Sequence, residues 1–391
     1  MILIYLVISA AAVALIHGLM RRAFPENAEL ISRGTAGLTV IVLAFPLLGG
    51  LLPDGAVGHF FQRWGNVTAG LALYFFGALA LLWLFSWIPR KILRRRSGGM
   101  WRLPRRWAAG VLAGLLVLTA AVNIAGAVNA RAVHVTRYEL PKQTLHQTRP
   151  LRIVLIADLH IGVNSSPDLY EQMVERVNEQ EPDLVLIAGD IVTSSYGALG
   201  EPEKYISVLK RMRAKQGIYA VYGNHDVEEP LLGGFSLTGA ENAVRHPEME
   251  HFLKACGWTL LTDESVILKE LDGLRLAGRR DESRPGDGVT QRAELTNLLA
   301  GADPAEPILL LQHEPADLDS LDGFGVNLAL SGHTHDGQIF PGNIIARMMG
   351  PQSYGMKRWG ACFVLVTSGV GYYGPPIRVG TVSEIAVIDL E

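Results

Sequence analysis

Five short apolar runs, each closing on polar residues able to hold a metal, constrain this chain more than any other feature. Ile153 to Ala157 runs into Asp158-Leu159-His160, Leu184 to Ala188 into Gly189-Asp190, and Ile218 to Tyr222 into Gly223-Asn224-His225-Asp226. Ile308 to Leu311 precedes His313, and Val326 to Leu330 precedes Gly332-His333-Thr334-His335. Runs of this length and composition read as buried strands. The polar residues then sit on loops at strand ends, held in place by a rigid sheet. Helical patterns over 167–180 and 203–215 alternate with the early strands, and the end of the chain is strand-rich. That order argues for an α/β fold with a mixed sheet.

The donors are imidazole nitrogens and carboxylate oxygens without a cysteine among them, a mixture that suits manganese, iron or zinc. A carboxylate has two oxygens and can bridge two cations, and Asp190, alone at its strand end, is the natural residue for that place. Glycines 189, 223 and 332 are expected to let the backbone turn sharply beside the metals. Two cations about 3.5–4 Å apart can acidify a water molecule and clamp the oxygens of a phosphoryl group. Singly the motifs decide little: Asp-x-His and Gly-Asp are frequent in surface loops, Gly-Asn-His-Asp makes a good turn, and the rarer Gly-His-Thr-His could be a mononuclear site. Only their conjunction, each after an apolar run, points to a binuclear site.

In this order the motifs resemble those of the calcineurin-like metallophosphoesterases, over the stretch from about Leu151 to the C-terminus. The likeness extends past the metal motifs into Asp336-Gly337-Gln338-Ile339, Tyr354-Gly355, Thr367 to Gly371, Pro376-Ile377-Arg378 and Ser383-Glu384-Ile385, which are similar to a bacterial phosphodiesterase-like branch. The resemblance implies a two-sheet sandwich flanked by helices. It implies one metal on Asp158, His160, Asp190 and His335, and a second on Asp190, Asn224, His313 and His333, with Asp190 as the bridge. Manganese is expected first, iron or zinc as alternatives. A bridging hydroxide would attack phosphorus while His225, off the metals, hydrogen-bonds or protonates the leaving oxygen. Asp190, Asn224 and His225 are thus the expected catalytic residues.

One departure stands out. Many members of the family carry a second Asp three residues beyond the bridging one, where it orients the catalytic histidine, and here Thr193 stands there. Either another acid substitutes or His225 acts mainly as a hydrogen-bond donor. Asp226 is adjacent but points elsewhere if the loop is extended. Glu314, beside His313, is also unusual.

The first third of the chain has a different composition. Stretches near 1–20, 34–52, 67–88 and 107–128 are apolar on all faces and reach the roughly 20 residues needed to cross a bilayer. Residues 1–6 lack the basic start of a secretory signal peptide, so the first stretch is expected to be retained. An all-α transmembrane unit of four helices, residues 1–130, is therefore expected ahead of a catalytic domain over 131–391. Arg90, Lys91, Arg94, Arg95, Arg96, Arg102, Arg105 and Arg106 crowd the loop between the third and fourth helices without an acid, which places that loop in the cytoplasm and the catalytic domain on the periplasmic or extracellular side. A phosphate or nucleic-acid patch is the rival reading of that cluster. The formal net charge of −3 gives no sign of nucleic-acid binding.

About five residues separate Val128 from the alternating run that starts at Val133, so the catalytic domain must lie close to the bilayer. A phospholipid or lipid-linked phosphodiester is then the expected substrate. A tethered enzyme for soluble nucleotides or cyclic dinucleotides and a non-catalytic metal-binding receptor are the alternatives. Substrate-touching residues are expected in an insertion after the Asn-His motif (Leu231, Leu232, Phe235) and in the 344–359 segment (Met348, Tyr354). Cys256 and Cys362 are the only cysteines and are read as buried thiols rather than a disulfide.

Overall fold

The computed structural model describes residues 28–93, 105–193, 195–229, 231–232, 235–236 and 244–391, with isolated positions 14, 17, 18, 21 and 26. The chain divides into two compact units, one taking the helices up to Gly126 with Leu231–Phe235 and Gly374–Pro376, the other the rest.

In the first unit, α1 (Ala28–Leu51), α2 (Ala56–Leu93) and most of α3 (Arg105–Asn129) form the described helices. Phe45 of α1 packs against Phe61 of α2, ring centroids 5.3 Å apart. Three of the four apolar stretches expected from sequence thus fall in helices, with α1 and α2 beginning earlier than expected. The stretch near 1–20 and the Arg94 to Arg102 part of the basic loop lie outside the described residues. Among the described residues no helix is long and apolar enough to cross a membrane, so the expected four-helix transmembrane unit is not what they present. Polar residues account for part of the difference, since α2 opens with His59, Gln62, Arg63 and Asn66, and α1 carries Pro46 inside it. Strands β5 (Leu231–Leu232) and β6 (Phe235–Ser236) pair as a short ribbon.

The second unit is built on two six-stranded mixed sheets. The first comprises β1 (Val133–Leu140), β2 (Leu151–Ile156), β3 (Leu184–Ala188), β4 (Ile218–Val221), β7 (Thr259–Leu260) and β14 (Ser383–Leu390), in the order β1-β14-β2-β3-β4-β7. The second comprises β8 (Glu264–Leu268), β9 (Leu274–Gly278), β10 (Ile308–Leu311), β11 (Val326–Ser331), β12 (Gly355–Trp359) and β13 (Cys362–Val366), in the order β12-β13-β11-β10-β9-β8. Within each sheet the strands that carry the metal motifs run parallel, β2-β3-β4 in one and β10-β11 in the other. Their carboxyl ends therefore open on the same side of each sheet.

Alternation along the strands makes three cores out of two sheets. Ile153, Leu155, Leu186, Leu309, Leu311, Leu328, Leu330 and Ile388 point between the sheets and are fully buried there. Val154, Ile156, Val185 and Ile187 point the other way, onto α4 (Pro167–Glu179), α5 (Pro202–Leu209) and α6 (Glu248–Ala255). Helix α4 starts on Pro167 at its first turn and buries Leu169, Tyr170, Met173, Val174 and Val177 along one stripe. On the outer face of the second sheet, Leu310, Ala329, Val364 and Val366 meet Leu295 and Leu298 of the one-turn helix α7 (Leu295–Leu298). The result is the α/β sandwich of two sheets flanked by helices that the motifs implied. Helix α8 (Gly342–Met349) follows the last metal motif.

Cys256 and Cys362 are both free and buried, as expected. Burial pushes each thiol up to about 12.

Candidate metal centre

Each donor leaves its strand within a few residues of the carboxyl end, and the backbone there is forced into an unusual conformation. Asp158, His160, Asp190, His333 and His335 all have φ between 47° and 73°. Only a few per cent of residues other than glycine adopt this region, with Asp, Asn and His the most tolerant. Five of the seven expected metal ligands sharing it marks a place where the surrounding sheets hold the chain against its local preference.

The expected role of the glycines is sharpened. Only Gly189, at φ 77°, needs a left-handed turn. Gly223 and Gly332 are required for space: a Cβ on Gly223 would stand 2.2 Å from Asp190 Oδ1, and one on Gly332 would stand 2.5 Å from Asp158 Oδ2.

The donors converge in two groups. His160 Nε2 lies 3.0 Å from His335 Nε2, and His335 Nε2 lies 3.5 Å from Asp158 Oδ1. On the other side, Asn224 Oδ1 lies 3.0 Å from both His313 Nε2 and His333 Nδ1. Asp190 reaches both groups with one atom: Oδ2 is 3.5 Å from His160 Nε2 and 3.1 Å from His313 Nε2. Two triads, Asp158-His160-His335 and Asp158-Asp190-His313, have ligand atoms close enough to hold an ion. The donor set also asks for one. His313 Nδ1 is 2.7 Å from the Ala188 carbonyl, so that nitrogen carries hydrogen and Nε2 is turned toward the oxygens of Asn224 and Asp190. Burial acts to lower this imidazole, but Asp190 outweighs it and raises the ring well above its ordinary value, so that a proton joins Nε2 to the carboxylate in the place a cation would take.

Burial favours the neutral, ligating form of three of the four imidazoles. It drives His160 down to about 3 and His333 down to about 4, and pushes His335 well below its ordinary value. The same burial, with Asp190 nearby, pushes the Asp158 carboxyl up to about 7. Burial acts on Asp190 in that direction too, but His313 and His225 outweigh it and hold that carboxyl well below its ordinary value.

Around the donors lies a set of contacts that fixes them. The Asp226 carboxylate accepts from the backbone N–H groups of Ile191, Val192 and Gly223, tying the second and third metal loops together. It does not reach His225. The ring of His225 lies off both donor groups, its Nδ1 2.6 Å from Glu229 Oε1, while Tyr373 stacks on its face at 4.2 Å. Arg284 Nη1 donates to Glu229 Oε2 at 2.5 Å and to the Asn224 carbonyl at 3.2 Å. Thr193, where the family resemblance leads one to expect an acid, has its hydroxyl 2.5 Å from Nδ1 of His160 instead. Arg378 is fully buried, gives hydrogens to the carbonyls of Ser368, Gly371 and Val382, and brings Nη2 within 3.3 Å of His335 Nδ1.

Glu229, Arg284 and Tyr373 were not anticipated from sequence. The signal for Glu229 was an acid four residues past His225, but Glu228 stands beside it, and the structure turns that one to the backbone N–H of Tyr196. Glu314 is half-buried and its carboxyl is raised by burial and then by Asp281. Of the expected substrate-touching residues, Met348 is 80% exposed, while Tyr354 directs its hydroxyl inward, 3.0 Å from Glu384 Oε2.

Comparison with known proteins bears on the same stretch. The family model described as calcineurin-like phosphoesterase matches residues 151–337. The chain is 30% identical over 254 residues to an "uncharacterized metallophosphoesterase" of Helicobacter pylori strain J99, covering 62% of this chain and 60% of that protein. It is 32% identical over 294 residues to a "transmembrane protein with metallophosphoesterase domain" of Danio rerio, covering 71% of this chain and 62% of that protein. The chain thus spans about three-fifths of the length of these relatives.

Proposed function

Because residues 151–337 belong to the calcineurin-like phosphoesterase family, we propose that the protein is a metal-dependent phosphoric ester hydrolase working with two divalent ions, manganese first, with iron or zinc as alternatives. The reading rests on one relation, the position of Asp190 Oδ2 between His160 on one side and His313 on the other. Asp158, His160, Asp190 and His335 would hold one ion, and Asp190, Asn224, His313 and His333 the other, Asp190 serving both. When bound, the ions acidify water and neutralise charge on a phosphoryl group held in line for attack. Asn224 contributes a neutral oxygen. His225 hydrogen-bonds the leaving oxygen, and Asp226 keeps the loops of Asp190 and Asn224 in register.

Residues 1–130 would anchor the enzyme in a membrane, with the domain over 131–391 on the periplasmic or extracellular side. Support comes from the four apolar stretches and the acid-free basic loop of the sequence, and from the Danio rerio relative, whose name describes a transmembrane protein. The substrate class we favour is a phospholipid or lipid-linked phosphodiester. Helix α8, directly after the last metal motif, leaves Met348 and Met349 80% and 82% exposed, with Ile344 and Ile345 half exposed beside them. An apolar helical face of this kind suits the boundary between water and lipid.

The test is hydrolysis of a chromogenic phosphodiester by the purified protein with added manganese. Asp190→Asn should abolish most of the activity, since it removes a ligand shared by both ions. Equal rates for the two proteins would sink the hydrolase reading.

A further inference from the structure

His225 is constrained on three sides. Its backbone N–H donates to Asp190 Oδ1 at 2.8 Å, Tyr373 stacks on the ring with an interplanar angle of 29°, and Nδ1 meets Glu229 Oε1 at 2.6 Å. Glu229 is itself immobilised: its side chain is wholly buried, and Arg284 ties its second oxygen to the backbone of Asn224. The backbone N–H of Arg284 is bonded to Asp281, so the grip on Glu229 comes from a loop of the second sheet, 55 residues away in sequence. An ionised carboxylate only accepts hydrogen bonds, so Nδ1 of His225 must carry hydrogen. Nε2 is then the nitrogen left to give or take a proton.

From this geometry we infer that Glu229, held by Arg284, is the positioning residue of His225, holding hydrogen on Nδ1 and aiming Nε2 at the leaving oxygen of the ester. The inference rests on the hydrolase reading and assigns the work of the acid that Thr193 replaces. As water adds to phosphorus it releases a proton to solvent. The bond from phosphorus to the leaving alcohol breaks, the alcohol departs with the proton from Nε2, and the neutral ring regains a proton from solvent. Glu229 touches neither substrate nor metal. It selects the tautomer and direction of the ring.

The test compares phosphodiesters of graded leaving-group basicity, from 4-nitrophenolate to an unactivated alkoxide, with the full chain and manganese. A weakly basic leaving group needs no proton, whereas an alkoxide does. Glu229→Gln should lower kcat on the alkyl ester about 10- to 100-fold, within the range for general acid catalysis, and only a few-fold on the nitrophenyl ester, with KM unchanged. His225→Asn should show the same slope, and Glu229→Asp should recover part of the loss. A uniform loss across leaving groups, or a change confined to KM, would overturn the inference. A second arm does not depend on turnover: proton spectra of the protein with 15N-labelled histidine should contain a far-downfield Nδ1–H signal that disappears in His225→Asn and moves upfield in Glu229→Gln. Its absence from the wild type overturns the Glu229 contact, whatever the activity. Its presence in a wild type inactive on every ester overturns the hydrolase reading and the proton donation together, leaving the contact standing.

Discussion

Thr193 Oγ1 lies 2.5 Å from Nδ1 of His160, on the side of the ring away from the donor cluster, where Nε2 faces His335. The residue that at first sight breaks the family pattern therefore acts on a candidate ligand rather than on His225. An outer partner of this kind sets the tautomer and aim of an imidazole, and its loss commonly costs about 10- to 100-fold in metal affinity. Thr193→Val should weaken binding of the ion held by Asp158, His160 and His335 by about tenfold. Activity titrated against manganese concentration reads this directly, and an unchanged half-saturation point would show that the hydroxyl is dispensable.

Chelation and pH should interact in a defined direction. In the folded chain without metal the Asp158 carboxyl keeps its proton up to about 7, whereas in the unfolded chain it gives the proton up near the ordinary value of 3.8. Between those values the unfolded state binds fewer protons, so this group removes stability as pH rises from about 4 through 7. His160, His333 and His335, lowered by burial, act in the opposite sense over the same window, so the quantity to measure is the thermal midpoint of the wild type minus that of Asp158→Asn in a chelator, which should fall as pH rises from about 4 to 7. A difference flat in pH would contradict it.

Arg378 is a structural counterpart to the donors. Its guanidinium is fully buried and bonded to the carbonyls of the loop that passes beneath Asp158, from Ser368 to Gly371. Arg378→Met leaves those carbonyls without donors in a dry site, and the loss should be about 3–5 kcal/mol, the scale for breaking a buried charged network. Urea unfolding would show it as a lower midpoint, and metal affinity should fall with it because Nη2 also abuts His335.

The two thiols should be inert in the native protein. Both are buried, and burial pushes each up to about 12, so thiolate is scarce at neutral pH. Intact-mass analysis after iodoacetamide should show no adduct in native protein and two after denaturation.

Met348 and Met349 supply the test of substrate class. Replacing both with glutamate on α8 should lower turnover of a phospholipid diester in mixed micelles by about tenfold or more, since each charge must be drawn into an apolar boundary. Hydrolysis of a soluble chromogenic diester should change less than twofold. The complementary change, glutamate at Leu231, Leu232 and Phe235, separates the two expected contact segments, and equal loss on both substrates would argue against a lipid-facing role for either.

Much of the candidate site was legible because its information is local. An apolar run that ends on Asp158, Asp190, Asn224, His313 or His333 states both that a strand stops there and that a donor follows, since strand patterning and ligand chemistry are written in adjacent residues. The α/β class followed in the same way from runs buried on both faces, while the two-sheet sandwich came from the family resemblance. What the tertiary structure decided is every pairing across the chain. It turned Glu229 rather than Glu228 to His225, bound it with Arg284 from another sheet, gave Thr193 to His160, and set Asp190 Oδ2 between two histidines that lie 153 residues apart. Such choices depend on the register of strands and the direction of side chains at a common edge, which a linear pattern does not contain. The five runs by themselves marked which residues are candidates to hold metal, and the packing of two sheets determined how their atoms meet.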